Sequence, residues 1–286
     1  GIDLSLFSGR LQTSVDGYSN LTSKLLFSQP IPLTTGFGSI QGNIGEVSNL
    51  GVELSVNSIN FDGDFRWSTN LNIAKNDNLV KSLADTLPLF RGYTANGAGN
   101  TNIVKPGYPL GTFWGLNFLG VDPATGDAIY EDINGDGQIS PDDGKVIGTA
   151  QPDFVGGITN NLSYRGFDLS VFIQFSYGNE LLNFSNSALL NSGEDINNNQ
   201  VRKALDRWQK PGDITDVPRY ELGNTQNNWH SNRFLEDGSF LRVKNVSLGY
   251  NLPTRYVEKI KAQSIRIYGS ATNVFTWTNY TGNDPE

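Results

Sequence analysis

Residues 132 to 143 are the stretch of this chain best equipped for chemistry. They read D-x-N-x-D-G-x-I-x-x-x-D. Calcium takes six to eight oxygen ligands in a flexible cage, and its loop motif places them at fixed positions. Here Asp132, Asn134 and Asp136 supply side-chain oxygens at positions 1, 3 and 5. Gly137 fills position 6, where the sharp turn requires glycine, and Gln138 offers its backbone carbonyl. Ser140 can act directly or through water, and Asp143 stands at position 12. The pattern predicts a structural calcium loop of the EF-hand or dockerin kind. The usual twelfth residue is a bidentate Glu, so the shorter Asp143 implies looser binding. The plainer alternative is an acidic, Asn/Gly-rich turn without metal. Either way, such a loop fixes geometry and names no function.

No catalytic constellation accompanies it. The chain has no Cys, which excludes disulfides, thiol nucleophiles and thiolate metal sites. Its one histidine, His230, has no second histidine for a zinc site or a relay, and reads as a loop residue. Asp127, Glu131 and Asp142 could form a glycosidase pair, but they crowd around the acidic loop, where ligand or solvated-turn roles suit them better. Phe113, Trp114, Trp208 and Trp229 could stack on sugar rings; packing within loops or at a membrane interface is the simpler expectation. A net charge of −8 argues against electrostatic nucleic-acid binding.

The elements that must position these residues are strands. Only 37% of residues are apolar, with 16 Phe, 11 Tyr, 5 Trp and 32 Gly. That mixture suits many strands joined by turns. Val52, Leu54 and Val56 alternate with polar residues. After Asp62-Gly63, the positions Phe65, Trp67, Thr69, Leu71 and Ile73 do the same, which predicts a hairpin. A second hairpin turns at Arg165-Gly166 into Phe167, Leu169, Val171, Ile173, Phe175 and Tyr177. Strands are also expected over 2–7, 11–26, 107–120, 240–252 and 265–278. Loops are expected over 29–42, 76–106 and 178–233, with a short helix near Asn78–Ala84 and a helical face at Val201, Ala204, Leu205 and Trp208. No apolar run approaches the ~18 residues of a membrane helix. Several strand runs reach about ten residues, and short connections on one side contrast with long polar loops on the other. Both features lean toward a transmembrane β-barrel. The alternation by itself also fits a soluble sandwich.

At the C-terminal third the sequence carries motifs. The run Arg233-Phe234-Leu235-Glu236-Asp237-Gly238-Ser239-Phe240-Leu241-Arg242-Val243-Lys244-Asn245-Val246-Ser247-Leu248-Gly249-Tyr250 resembles a hallmark strand of the SusC/RagA family of TonB-dependent outer-membrane transporters. So does Ala271-Thr272-Asn273-Val274-Phe275 through Asn283-Asp284-Pro285-Glu286. Pro30-Ile31-Pro32 with Thr35-Gly36-Phe37, the 43–54 run, Arg207-Trp208 with Pro211-Gly212, and Val217-Pro218-Arg219 are similar to further family segments in the family's order. The resemblance implies an all-β chain: an antiparallel transmembrane β-barrel segment, residues 1–286 forming late strands of a 22-stranded barrel with long extracellular loops. The plug, the TonB-contacting region and early strands would lie upstream, and a last strand or two downstream. It implies nutrient import across a bacterial outer membrane, with oligosaccharide or peptide as substrate. The expected partners are a SusD-like surface lipoprotein lid, the TonB system and outer-membrane lipid. Calcium-type loops accompany the family too.

Two other readings stay open on the residues alone. One is a secreted, calcium-stabilised β-protein that binds carbohydrate or a surface partner. The other is a glycoside hydrolase, for which no acid/base pair can be placed.

Overall fold

A computed structural model describes residues 1–83, 88–95, 99–195 and 197–286. Eight strands form one sheet: β1 (Ile2–Leu6), β2 (Leu11–Pro30), β3 (Ser39–Asp62), β4 (Phe65–Leu83), then β11 (Phe154–Tyr164), β12 (Phe167–Tyr177), β15 (Phe240–Asn251) and β16 (Arg266–Thr278). They pair in that order, each antiparallel to the next. The intervening strands lie in the two long connections. Between β4 and β11 come β5 (Leu89–Ala95), β6 (Gly99–Val104), β7 (Thr112–Gly115), β8 (Phe118–Val121), β9 (Ala128–Tyr130) and β10 (Lys145–Thr149). Between β12 and β15 come β13 (Glu180–Leu182) and β14 (Leu235–Asp237).

Register separates the two faces of the sheet. Trp67 stands opposite Leu162, Leu71 opposite Ile158, Ile158 opposite Ile173, and Val171 opposite Val246. This apolar face is bounded by aromatics at both ends. Phe65, Trp67, Tyr164, Phe167 and Tyr250 lie next to the short turns, with Phe167 and Tyr250 only 4.3 Å apart between ring centroids. Phe154, Phe175, Tyr177, Phe275 and Trp277 lie at the far end. From Phe167 to Tyr177 is ten residue steps, or ~34 Å along the strand. At a tilt near 45° this becomes ~24 Å of height, matching the ~25 Å apolar band of an outer-membrane barrel. The opposite face carries Asn57, Asn70, Asn72, Asn161 and Ser170, whose side chains bond one another, as in Asn72 Nδ2 to Asn70 Oδ1 (2.9 Å) and Ser170 Oγ to Asn161 Oδ1 (2.8 Å). A small polar cluster interrupts the apolar face and is satisfied there: Asn160 Oδ1 accepts from Trp67 Nε1 (2.9 Å) and Thr69 Oγ1 (2.8 Å), and Asn60 Nδ2 donates to Thr69 Oγ1 (2.8 Å).

Both clean hairpins form as expected. Elsewhere strands replace predicted loops. The 29–42 segment keeps only residues 31–38 as a connection, because β2 and β3 run on far beyond the apolar band. The short helix expected near Asn78–Ala84 is instead strand through Leu83, and Ala84 lies outside the described residues. Asn78 bonds across the sheet to Asn49 (2.8 Å) and accepts from Leu110 N (2.8 Å), while Val80 is fully buried. The expected 76–106 loop contains the end of β4 together with β5 and β6. The expected 107–120 strand is two short ones, β7 and β8. The helical face at 201–208 reduces to a 3-10 turn, Arg202–Asp206. Leu205 there is 64% exposed, and Trp208 is drawn off by a bond from its Nε1 to Pro123 O (3.0 Å).

Buried clusters sit beyond the band, not within it. Val47, Val80, Leu83, Leu89 and Val104 form one where β2–β4 project past the membrane level. Among the described residues no helix is long and apolar enough to cross a membrane.

The face assignment predicts an asymmetry. Val171→Arg, midway between the aromatic belts on the apolar face, should destabilise the barrel in lipid by about 2–4 kcal/mol. Its neighbour Ser170→Arg, on the polar face, should change stability by no more than about 1 kcal/mol. Denaturant unfolding of the full parent protein in vesicles measures both, and equal effects would contradict the assignment.

Candidate functional site

The acidic loop hangs from the β8–β9 hairpin and ends on β10. Inside it, Asp132 Oδ1 accepts from Gly135 N (2.7 Å) and Oδ2 from Gly137 N (2.9 Å). Asn134 Oδ1 accepts from Asp136 N (2.8 Å), and Asp136 Oδ1 from Gln138 N (2.8 Å). Gly135 and Gly137 have φ of +74° and +79°, a region where a side chain would be strained. Asp143 is fully buried, with Oδ1 accepting from Ile133 N (2.9 Å) and Oδ2 from Ser140 N (2.8 Å). Ser140 and Asp143 cap each other's backbone, so the loop closes as a reciprocal box. These hydrogen bonds, led by that from Ser140 N, hold the Asp143 carboxyl below the usual carboxylate range.

Asp132, Asn134, Asp136, Gln138 and Asp143 are thus gathered in one loop. Among the described residues, however, no three His, Cys, Asp or Glu side chains converge closely enough to hold a metal. Asp143 is turned inward onto backbone N–H groups, whereas Asp132, Asn134 and Asp136 are exposed. The donor set suits a hard cation in being all oxygen. Each exposed side chain has a second lone pair left for a ligand.

The loop is one edge of a larger unit that sequence reasoning missed: the two long connections interlock. Leu116 N donates to His230 O (3.2 Å) and Asn232 N to Leu116 O (3.2 Å). Phe118 N donates to Asn232 Oδ1 and Ala128 N to Asn227 Oδ1, both 2.8 Å. Tyr130 O–H donates to Gln226 O (2.9 Å). The four aromatics considered for sugar stacking pack within this cap. Phe113 is buried, Trp229 lies against Tyr130, Trp114 covers Gly144 at the end of the acidic loop, and Trp208 covers Gly126. His230 is buried, and burial pushes its pKa down; its Nε2 lies 3.0 Å from Trp114 O. Of the carboxylates considered as a glycosidase pair, Asp142 is exposed and the other two are engaged elsewhere. Asp127 pairs with Arg219 (2.7 Å), and Glu131 pairs with Lys145 (2.7 Å) and Asn117 (2.8 Å). Arg233 lies over Phe118 and Phe234, and burial lowers its pKa to about 10. A usable signal was present in the second connection, where residues 178–239 hold eleven Asn and five Ser, residue types that satisfy backbone across irregular contacts.

A twisted antiparallel wall with an apolar belt, aromatic borders, tight turns at one end and a packed loop layer at the other defines a segment of a transmembrane β-barrel. No family model matches the chain. Its whole length aligns with TonB-dependent receptor P3 of Formosa agariphila at 37% identity, covering 30% of that receptor. It aligns likewise with TonB-dependent receptor SusC of Bacteroides thetaiotaomicron at 29% identity, covering 29% of it. The structure of the RagAB peptide transporter superposes on 99% of this chain and 32% of that one, with a TM-score of 0.84 and 28% identity. The chain therefore spans about a third or less of the length of these relatives. Over its whole length it is similar to a portion of TonB-dependent receptors, SusC among them, and to part of the RagAB transporter.

Acid should loosen the loop. The folded pKa of Asp143 lies below that of an unfolded Asp, about 3.9. Its stabilisation is therefore present above that value and lost as pH falls through the folded value. Hydrogen-exchange protection at Ile133 and Ser140 should fall on acidification below about pH 4, and Asp143→Ala should remove it at neutral pH. Protection that is indifferent to both changes would show that the carboxylate does not hold the loop.

Proposed function

We propose that this chain forms the C-terminal part of the barrel of a bacterial outer-membrane importer energised through TonB. The importer takes up oligosaccharides or related glycans, with a SusD-like surface lipoprotein seated on the loop cap. The observation that carries this reading is the interlocked cap. Connections of this length are uncommon unless they are functional, and here the two share a buried cluster in which Trp229 of the second packs against Leu116 and Tyr130 of the first. A rigid layer at the mouth of a barrel suits docking by a lid. Peptide is the second substrate class, favoured by the likeness to a structure described as a peptide transporter. Transport fits the side chains better than catalysis does, since Asp127 and Glu131 are held in ion pairs. In this reading Asp132, Asn134, Asp136, Gln138 and Asp143 bind calcium, which braces the edge of the cap.

The test is affinity purification of the full parent protein from detergent-solubilised outer membranes. A lipoprotein recovered in one-to-one amount supports the importer, and recovery of a lone protein from the soluble fraction overturns it. Calcium is tested separately by calorimetry on the same preparation. Saturable binding should disappear in Asp132→Ala/Asp136→Ala, and an absence of binding heat in the unmodified protein removes calcium from the account.

A further inference from the structure

The turn end of the sheet differs in charge from the rest of the chain. The stretches 7–10, 62–66, 164–168 and 251–266 hold seven Lys and Arg against four Asp and Glu, a net +3 within a chain of net −8. Two of these cations are internal to the sheet: Arg66 pairs with Asp62 and Arg266 with Asp168. Arg165, Arg255, Lys259 and Lys261 are exposed, and none is in an ion pair among the described residues.

These four are close together in the fold. Asn251 N donates to Gly166 O (2.8 Å), which sets the Arg165 turn beside the start of the 252–265 connection. That connection is the one short-side link that is not a tight turn. It carries a helical turn, Thr254–Val257, continued by a 3-10 turn, Glu258–Ile260. Val257 is buried, whereas Tyr256 and Ile260 are 50% and 65% exposed. Arg255 lies over the Tyr256 ring (4.6 Å) and Arg165 over the Tyr164 ring (5.1 Å). Tyr164 belongs to the aromatic belt with Phe167 and Tyr250, so the cations begin where the apolar face ends.

We propose that Arg165, Arg255, Lys259 and Lys261, with Tyr164 and Tyr256, form a collar that binds anionic phospholipid headgroups in the leaflet facing the short turns. The inference rests on the membrane-barrel reading. Headgroups occupy the level just past an aromatic belt. Cations near an anionic bilayer surface each contribute appreciably to attraction, and aromatic rings at that depth hold their polar edges in water. The exposed Ile260 and Tyr256 supply apolar contact next to the charges, as expected of a segment lying in the interface.

The test uses the full parent protein reconstituted in phosphatidylcholine vesicles with and without one-third phosphatidylglycerol. After mild delipidation, native mass spectrometry counts the lipids retained. The unmodified protein should retain phosphatidylglycerol over phosphatidylcholine by at least about fivefold. Arg165→Gln/Arg255→Gln/Lys259→Gln/Lys261→Gln should reduce that ratio to near one, while Lys203→Gln/Lys210→Gln, at the loop end, should leave it unchanged. Equal retention of both lipids by the unmodified protein, or the same loss in the loop-end variant, overturns the collar. A full parent protein that does not insert into either vesicle would instead sink the barrel reading. If the quadruple variant fails to assemble, Arg255→Gln/Lys259→Gln gives the same readout at smaller amplitude.

Discussion

Backbone hydrogen bonding in an apolar medium governs this structure. A strand in hydrocarbon has no water to satisfy its N–H and C=O groups, and each orphaned group costs several kcal/mol. The chain answers with antiparallel neighbours in sequence order, so each sheet strand pairs with the next one along the chain through a tight turn or back from a long connection. That arrangement leaves the apolar face to lipid and the amide-rich face to water. It also explains a composition that is poor for an ordinary domain. With 37% apolar residues the chain has no need of a central core, because the wall uses one apolar face and the buried clusters are small and lie beyond it.

The cap obeys the same constraint by different means. Its backbone is irregular, so side chains replace the ladder. Asn227 and Asn232 accept from main-chain N–H groups of the other connection, and Glu180 accepts from Thr149 N (2.7 Å). Glycine enters where a ring must come close. Trp208 lies over Gly126 and Trp114 over Gly144, positions where a Cβ would collide with the indole. The acidic loop is a small case of the same design, with carboxylates and amides folding residues 132–143 around their own N–H groups.

Legibility in the sequence followed periodicity. The hairpins at Asp62-Gly63 and Arg165-Gly166 could be read because alternation and turn chemistry agree there. The strand ends could not. Above the membrane β3 and β4 lose their lipid-facing pattern, and Asn49, Asn76 and Asn78 look like loop residues although they bond across paired strands. The cap was illegible for a deeper reason. Its contacts join residues about a hundred positions apart, such as Asp127 with Arg219, and no local pattern records them. The acidic loop at 132–143 could be read as a closed turn because its hydrogen bonds are local. The helical face at 201–208 misled because Ala204 and Val201 do pack inward, yet a single 3-10 turn satisfies them.

A break in the alternation shows how closely the wall is tuned. On β15 the lipid-facing residues are Leu241 and Val243 before the break, and Val246, Leu248 and Tyr250 after it, so the parity switches. The switch is a bulge at Lys244, matched on β16 by the irregularity around Asn273, whose φ is +50°. Without the extra residue, either the Arg242–Lys244 side or the Val246–Tyr250 side of the strand would face the wrong medium. A charge on the lipid face near mid-depth costs about 2–4 kcal/mol. With the bulge, Arg242 stands opposite Gln174 and Thr276 on the polar face, almost wholly buried, and pairs with Asp284 and Glu286. Lys244 reaches the same Glu286 at 2.6 Å. One inserted residue therefore does two things. It keeps two cations out of lipid, and it gives the segment after β16 a charged seat on the inner wall, so the chain emerging from that strand is directed along the lumen face and held there.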